Sequence, residues 1–437
     1  MSLETPREKV RNLQRKLYDK AKAEPTFRFY SLYDKIYCME TLRYAYRRSK
    51  AKGLATGVDG ETYEQIEKEG LEIWLGRLQE DLRTRRYEAQ AVRRHHIEKP
   101  GGGQRPLGIP TIRDRVAQGA AALVLMPIFE ADFPDEMYGY RPGRSTKDAI
   151  KAVHNAVKDG YTEVLDADLS KYFDTIPHDE LLKSVARRIS DGAVLHLIKL
   201  WLTAPVEERD EETGKVTRSG GKDHHTGTPQ GGVASPLLAN IYMSRFFRAW
   251  KERGMDKKLQ ARAINYADDF VILSRGRGKA VHELTRDWMT RLKLTLNEKK
   301  TCLRDARRET FDFLGYTFGP LVHRPTGRTY QAARPSKKAT ARLKDKLREI
   351  LKPGNMGPKE AVAARVNSVL RGWANAFDYG TVARTYWKLN AFVWNRVRRF
   401  LARRNQLSTR GHQQYGWKTI FGELGILLLR PPKSAAP

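Results

Sequence analysis

The sequence predicts an α+β protein of several domains, and three observations carry that prediction. Its 437 residues exceed what one compact core accommodates. Apolar residues recur at helical spacing towards both ends of the chain, while short apolar runs bounded by Gly, Pro and Asp occupy the middle. Hydrophobic residues make up 40% of the chain and aromatic residues run through its whole length, so its charge belongs mostly to folded surfaces rather than disordered tails.

The elements follow in order. Over residues 1–90, Leu13, Leu17 and Tyr18, then Tyr63, Ile66, Trp74, Leu75 and Leu78, fall at helical spacing, and the strong loop signal among them is TGVDG at 56–60. Residues 93–112 read as a hairpin with a Gly-rich turn that carries Lys99 and Arg105. An apolar helix follows over 115–133. TEVLDADL at 162–169 alternates apolar and acidic residues as a buried strand does. The segment 208–225 reads as a solvent-exposed hairpin, and 226–243 as a Gly/Pro turn opening an apolar helix, suited to backbone lying close under a base pair or sugar. NYADD lies between two short strands, INY and FVILSR. A helix is expected over 282–296, and long basic helices with Leu, Val, Trp and Phe on one side over about 335–405.

Lys and Arg number 81 against 51 Asp and Glu, a formal charge of +30, which makes nucleic acid the leading partner. Cys38 and Cys302 are the only cysteines, too far apart for a CxxC pair, so a structural zinc module is not expected. No apolar stretch approaches the roughly 20 residues of a membrane span, and the N-terminus lacks a signal-peptide core. The expectation is a reduced, cytoplasmic protein with no membrane partner.

Against this positive background stand three aspartates in strand contexts. Asp168 ends the strand in DADLSKYFD, and Asp268 and Asp269 occupy the tip of the hairpin in NYADDFVIL. Carboxylates at the ends of adjacent strands can hold two Mg²⁺ ions, which prefer oxygen ligands and keep substrate phosphates in their shell. Two such ions stabilise the attacking and leaving oxygens of an in-line phosphoryl displacement. An isolated Asp-Asp pair is more often a solvated turn; the Gly/Pro-rich turn between the two acidic strands and the basic chain around them favour chemistry.

Seven segments, in order, resemble the reverse transcriptases, specifically the bacterial group II intron reverse transcriptase/maturases. IEKPGGGQRPLGIPTIRDRVAQ (97–118) and MYGYRPGRSTKDAI (137–150) resemble the two fingers motifs, and DADLSKYFDTIPHD (166–179) the first catalytic motif. TPQGGVASPLLANIYM (228–243) resembles the template and nucleotide-binding motif and YADD (266–269) the second catalytic motif. LTLNEKKT (294–301) resembles the motif after it, and FLGY (313–316) the primer grip. The resemblance implies a right-hand polymerase with fingers, a palm of antiparallel sheet packed on helices, and a helical thumb or maturase domain. It implies metal ligation by Asp168, Asp268, Asp269 and the Leu169 carbonyl, with Mg²⁺ as cofactor and Mn²⁺ able to substitute. Lys99 and Arg105 would grip the triphosphate, where Arg offers a rigid fork and Lys a point charge. Gln230 would lie near the nucleotide sugar and base, and Phe173 under the sugar, excluding a 2′-hydroxyl. Lys300 would protonate pyrophosphate; the family's Asn-Pro-Glu-Lys-Thr reads Asn-Glu-Lys-Lys-Thr here, so Lys299 competes for the part.

The helical start with TGVDG resembles the N-terminal extension of this branch, and RVNSVLRGWANAFDYG (365–380) with the following Arg-rich helix its thumb or maturase domain. Arg141, Arg144, Arg396 and Arg399 are the candidate nucleic-acid contacts, with Arg398, Arg403 and Arg404 on the same helix. Core packing is the expectation for Gly372, Trp373, Phe377 and Trp394. The boundaries read as 1–90 N-terminal extension and start of the fingers, 91–325 fingers and palm, 326–405 thumb or maturase domain, and 406–437 a short folded cap or DNA-binding remnant, without the Cys-rich endonuclease of some relatives. The implied partners are an RNA template, a DNA or RNA primer, dNTPs, group II intron RNA in a ribonucleoprotein, and target DNA. Three other readings stand beside this one: a domesticated reverse transcriptase in defence, spacer acquisition or repair; an RNA-folding maturase without polymerase activity; and a non-enzymatic basic scaffold.

Overall fold

The computed structural model describes residues 5–53, 55–98, 103–210, 213–221, 223–323 and 325–432; Lys99 lies outside them. Five helices precede the first strand: α1 (Pro6–Ala23), α2 (Tyr33–Ile36), α3 (Met39–Lys50), α4 (Tyr63–Glu69) and α5 (Leu71–Arg83). Thr5 with Glu8 and Thr62 with Gln65 form reciprocal capping boxes that satisfy the first free backbone N–H groups of α1 and α4. Their apolar stripes converge on α6 (Ile112–Glu130), a helix buried on nearly all sides, so Leu17, Ile66, Leu75 and Leu78 share one core with Val116 and Val124.

Between α5 and α6 the hairpin of β1 (Val92–Glu98) and β2 (Gln104–Ile109) pairs antiparallel, placing Ile97 opposite Arg105. After α6, Ser145 caps α7 (Thr146–Lys158), which leads to β3 (Glu163–Asp168). Three helices follow, α8 (Tyr172–Thr175), α9 (His178–Ala186) and α10 (Gly192–Leu202), and then a second hairpin, β4 (Pro205–Arg209) and β5 (Val216–Gly220). The segment expected as a solvent-exposed hairpin is one, and β4 also pairs in parallel with β1 and extends the first sheet to the order β2-β1-β4-β5.

The central sheet has the order β6-β7-β3-β8, all pairs antiparallel, with β6 (Ala261–Tyr266) and β7 (Asp269–Ser274) reached through α11 (Ser235–Glu252) and α12 (Met255–Lys258). Strand alternation sends Leu165, Ala167, Phe270 and Ile272 into the large core shared with α11 and with α13 (Gly278–Arg291), and Val164, Val271 and Leu273 to the opposite face against α7. The helix expected over 282–296 ends at Arg291. Lys293 turns left-handed (φ 56°), and Leu294 and Leu296 leave the helix to bury beside the sheet, Leu296 bridging to Leu169.

Next to that opposite face lies a three-stranded sheet of β9 (Phe311–Phe313), β10 (Tyr316–Val322) and β11 (Thr329–Pro335), whose first strand follows β8 (Cys302–Asp305). It leads into α14 (Lys337–Ile350), α15 (Lys359–Ala376) and α16 (Ala383–Arg404), which have their own core of Leu347, Val366, Leu370, Trp373, Tyr386 and Val393. Trp373 stacks on Phe377 at 4.8 Å, and Ile420, Ile426 and Leu429 of the last segment bury in the same core. Among the described residues no helix is long and apolar enough to cross a membrane.

Candidate active site

Register builds the centre of the site. Asp168, the last residue of β3, pairs directly with Asp269, the first residue of β7, so both carboxylates leave the same face of the sheet. Asp268 immediately precedes Asp269 in a tight turn whose Ala267 is left-handed at φ 61°. That turn is held from below: the fully buried Asn265 amide donates to the Ala267 carbonyl at 2.8 Å. Gly139 packs so closely on the Ala267 backbone that any side chain there would collide with it, and the buried Asn240 amide donates to the Gly139 carbonyl at 2.7 Å.

Negative charge is concentrated here. Solvent reaches Asp269, yet the surrounding protein withdraws enough water that its pKa is pushed up to about 6, by burial first and then by Asp268, Asp168 and Asp166, with Lys300 opposing. Asp166, two residues before Asp168 on the same strand face, is also pushed up to about 6, by burial first, with Arg304 opposing and Asp168 and Asp312 adding to it. Asp168 Oδ2 accepts from the Asn297 amide at 3.0 Å and from Lys300 Nζ at 3.3 Å. Among the described residues, no three His, Cys, Asp or Glu side chains close fully around one point. The donor set nonetheless suits a hard divalent cation: it is all oxygen, and the upward shift of Asp269 marks anionic groups short of positive charge, which such an ion would relieve.

Around the carboxylates the chain brings three segments together. Phe173 is buried on α8, and its carbonyl accepts from Thr228 N at 2.7 Å. Gly108 N of β2 donates to the Gln230 carbonyl at 2.5 Å, while Arg105 Nε donates to Gln230 Oε1 at 3.1 Å. Gly231 lies so close that a side chain would strike the Gly108 carbonyl, so a glycine is required there, all the more at φ 113°. Leu169 is buried at the strand end. Of the two competing lysines, Lys300 is the one in contact with Asp168. Two residues that sequence reasoning passed over also belong here. Asn297 binds Asp168 through both its side chain and its backbone N–H, the latter at 2.8 Å to the Asp168 carbonyl. Tyr140, left-handed and 44% exposed, stands where Asp268 and Arg105 both act on its hydroxyl, whose pKa is raised mainly by burial. Both fall inside the quoted motifs, which were their available signal.

The arginines divide. Arg141 is a correction: it is buried, forks onto Glu130 at 2.8 Å and donates to the Pro134 and Met137 carbonyls at 2.7 Å, so its donors hold the fold together and are not available to phosphate. Arg398 is likewise buried, stacked on Trp394 at 4.9 Å and bonded to Asn395 and the Arg410 carbonyl. Arg144 pairs with Asp135 at 2.6 Å near the surface. Arg399 is exposed and Arg396 half-buried on α16. A groove of about 500 Å³ between the three-stranded sheet and α14 and α16 is lined by Arg334, Lys337, Lys344, Arg384 and Lys388.

Residues 97–318, a little over half of the chain, match the family model described as reverse transcriptase (RNA-dependent DNA polymerase). The chain belongs to the reverse transcriptase family. Residues 340–416 of this reverse transcriptase match a second model, the maturase-specific domain of group II introns. Protein YkfC of Escherichia coli is 34% identical over 344 residues, 70% of this chain and 87% of that protein. The group II intron-encoded protein LtrA of Lactococcus lactis is 33% identical over 46% of this chain and 31% of its own length. The putative COX1/OXI3 intron 1 protein of Saccharomyces cerevisiae is 27% identical over 66% of this chain and 39% of its own. A telomerase structure from Candida albicans, bound to a telomeric RNA fragment, aligns at TM-score 0.42 and 13% identity over 84% of this chain and 71% of that one, too distant to carry inference. The two family matches make this reverse transcriptase an RNA-directed DNA polymerase with a group II intron maturase domain and nucleic-acid partners.

Proposed function

We propose that the protein copies an RNA template from a primer 3′-hydroxyl with dNTPs, and that it also binds group II intron RNA in a ribonucleoprotein that assists splicing and insertion into target DNA. The observation that carries the polymerase reading is the register of Asp168 opposite Asp269, one residue after Asp268, on an electrostatically strained strand end. Asp168, Asp268 and Asp269, with the Leu169 carbonyl, would hold two Mg²⁺ ions, for which Mn²⁺ can substitute. When bound, the ions supply charge neutralisation at the attacking and leaving oxygens.

The protein's own groups do the rest. Arg105, positioned by Gln230, and Lys99 grip the triphosphate, and Phe173 floors the sugar site so that a 2′-hydroxyl has no room. Gln230 lies beside sugar and base. As the primer 3′-oxygen loses its proton to solvent and bonds to the α-phosphorus, the bond to pyrophosphate breaks and Lys300 Nζ gives the leaving group a proton. Arg144, Arg396 and Arg399 contact phosphates, and the divisions 1–90, 91–325, 326–405 and 406–437 serve as N-terminal extension, fingers and palm, thumb, and cap. This work would take place in the cytoplasm.

The test is single-nucleotide addition with each dNTP alone on four RNA templates that differ at the first unpaired base, with Mg²⁺ or with chelator. Addition that follows the template base and stops with chelator is the expected result. Addition indifferent to the template, or unaffected by chelator, contradicts the proposal.

A further inference from the structure

Beyond the C-terminal end of α16 the chain doubles back over its own helix and builds an aromatic ledge. Trp394 meets His412 at 5.8 Å and Trp417 at 6.3 Å, and Trp417 meets Phe421 at 4.4 Å. Trp394 donates its indole N–H to the Tyr415 carbonyl at 3.1 Å, and both Trp394 and Phe421 pack partly into the thumb core. Trp417 lies outside that core and keeps 43% of its surface exposed. A part-exposed indole beside charged groups is a ready contact for a flat ligand.

The surroundings of the ledge are positive. The His412 ring is held below its ordinary pKa by burial first and then by Arg398, Arg410 and Arg399. Arg396 is similarly held down by burial and then by Arg348, Arg403 and Arg399, so Arg399 joins the two groups into one field. Among the described residues of this field, Arg348 has an acidic partner, Asp345, and Arg396, Arg399, Arg403, Arg410 and Lys418 have none. Cations in a row beside exposed rings suit a polyanion whose flat groups are free to stack, which a duplex cannot offer because its bases already stack on each other. A group II intron is RNA, and the maturase-specific match covers Arg396, Arg399, Arg410 and His412, which favours RNA over other polyanions for the cationic track; Trp417 lies one residue beyond the match.

We propose that Trp417, flanked by Phe421 and Trp394, is a stacking platform for an unpaired stretch of RNA whose phosphates run along Arg396, Arg399 and Arg410. The proposal rests on the reading that the arginine face of the thumb holds nucleic acid. The test measures binding of the full-length protein to labelled single-stranded RNA of about ten nucleotides, to duplex RNA of that length, and to single-stranded DNA. The variants are Trp417→Ala, Trp417→Phe and the double variant Arg396→Gln/Arg399→Gln, each with its melting temperature recorded. Trp417→Ala is expected to weaken single-stranded RNA about tenfold and duplex by less than about twofold, with Trp417→Phe within about threefold of wild type. The arginine variant weakens every ligand.

Single-stranded RNA affinity unchanged in Trp417→Ala while the arginine variant binds weakly overturns the platform and leaves the arginine track standing. No effect from the arginine variant refutes the reading beneath it. Equal loss from Trp417→Ala and Trp417→Phe with a matching fall in melting temperature assigns Trp417 to packing, and a loss confined to single-stranded DNA overturns the choice of RNA.

Discussion

The strand ends of the central sheet and the outer face of the thumb are opposite in sign and alike in their physics. At the sheet, Asp269 and Asp166 are pushed up by burial and by neighbouring carboxylates. On α16, Arg396 and Arg398 are pushed down by burial and by neighbouring arginines. Each region crowds like charges that the protein neutralises only in part, through Lys300 and Arg304 at the sheet, which costs folding free energy. Each would be relieved by a ligand of opposite sign, which on the proposed reading is a divalent cation at the sheet and phosphate on the thumb. A formal charge of +30 is the balance of two unlike surfaces, and the acidic one is small, local and set by strand register.

Arg141→Gln separates fold from field most sharply. It strands Glu130 in a mostly buried position, so a loss of about 3 kcal/mol in unfolding free energy is expected from denaturant titration. RNA affinity at a temperature where the variant is folded should be unchanged; weaker binding with intact stability would return Arg141 to the nucleic-acid surface. On the palm side, Phe173→Val should lower the preference for dNTP over rNTP roughly tenfold to a hundredfold in single-nucleotide extension. Unchanged selectivity would leave Phe173 as a core residue only.

On the thumb side, Arg396→Gln/Arg399→Gln should weaken RNA binding about tenfold at low salt and reduce the magnitude of the log–log salt slope by between about 1 and 2. A loss of affinity with the slope intact would mean that the arginines act through packing. The smallest effect is expected where the regions meet. His154 of α7 contacts the Tyr379 hydroxyl at 2.9 Å and the Gln331 carbonyl at 3.0 Å, and burial holds its pKa below the ordinary 6.5. On acidification the unfolded chain takes up this proton first, so stabilisation by the neutral ring is complete above about pH 6.5 and is lost as pH falls through the lower folded value. The melting-temperature gap between wild type and His154→Gln should therefore narrow from about pH 7.5 to about pH 5; a gap that widens would contradict the assignment.

Local pattern and turn chemistry made much of this legible. Alternation in TEVLDADL and the turn in NYADD announce the strands that carry the aspartates, because strand period and turn residues are local properties. Pairing between distant segments is not local. Nothing in 205–209 says that β4 will lie parallel to β1, nor in LTLNEKKT that Asn297 will meet Asp168. Arg141 is a related case: between Pro142 and Tyr140 nothing local marks it as buried, and only the fold brings Glu130 to it. The helix expected over 282–296 stops at Arg291 because Leu294 and Leu296, which continue a helical apolar pattern in the sequence, are buried against the sheet in the fold.

The most direct test is primer extension on an RNA template with dNTPs and Mg²⁺, comparing wild type with Asp268→Asn at concentrations that give equal RNA binding. The account predicts extension by the wild type and a loss of about a thousandfold or more in the variant. Extension by both proteins at similar rates would contradict the catalytic role of the strand-end carboxylates; extension by neither, with tight binding of structured RNA by both, would contradict the polymerase assignment itself.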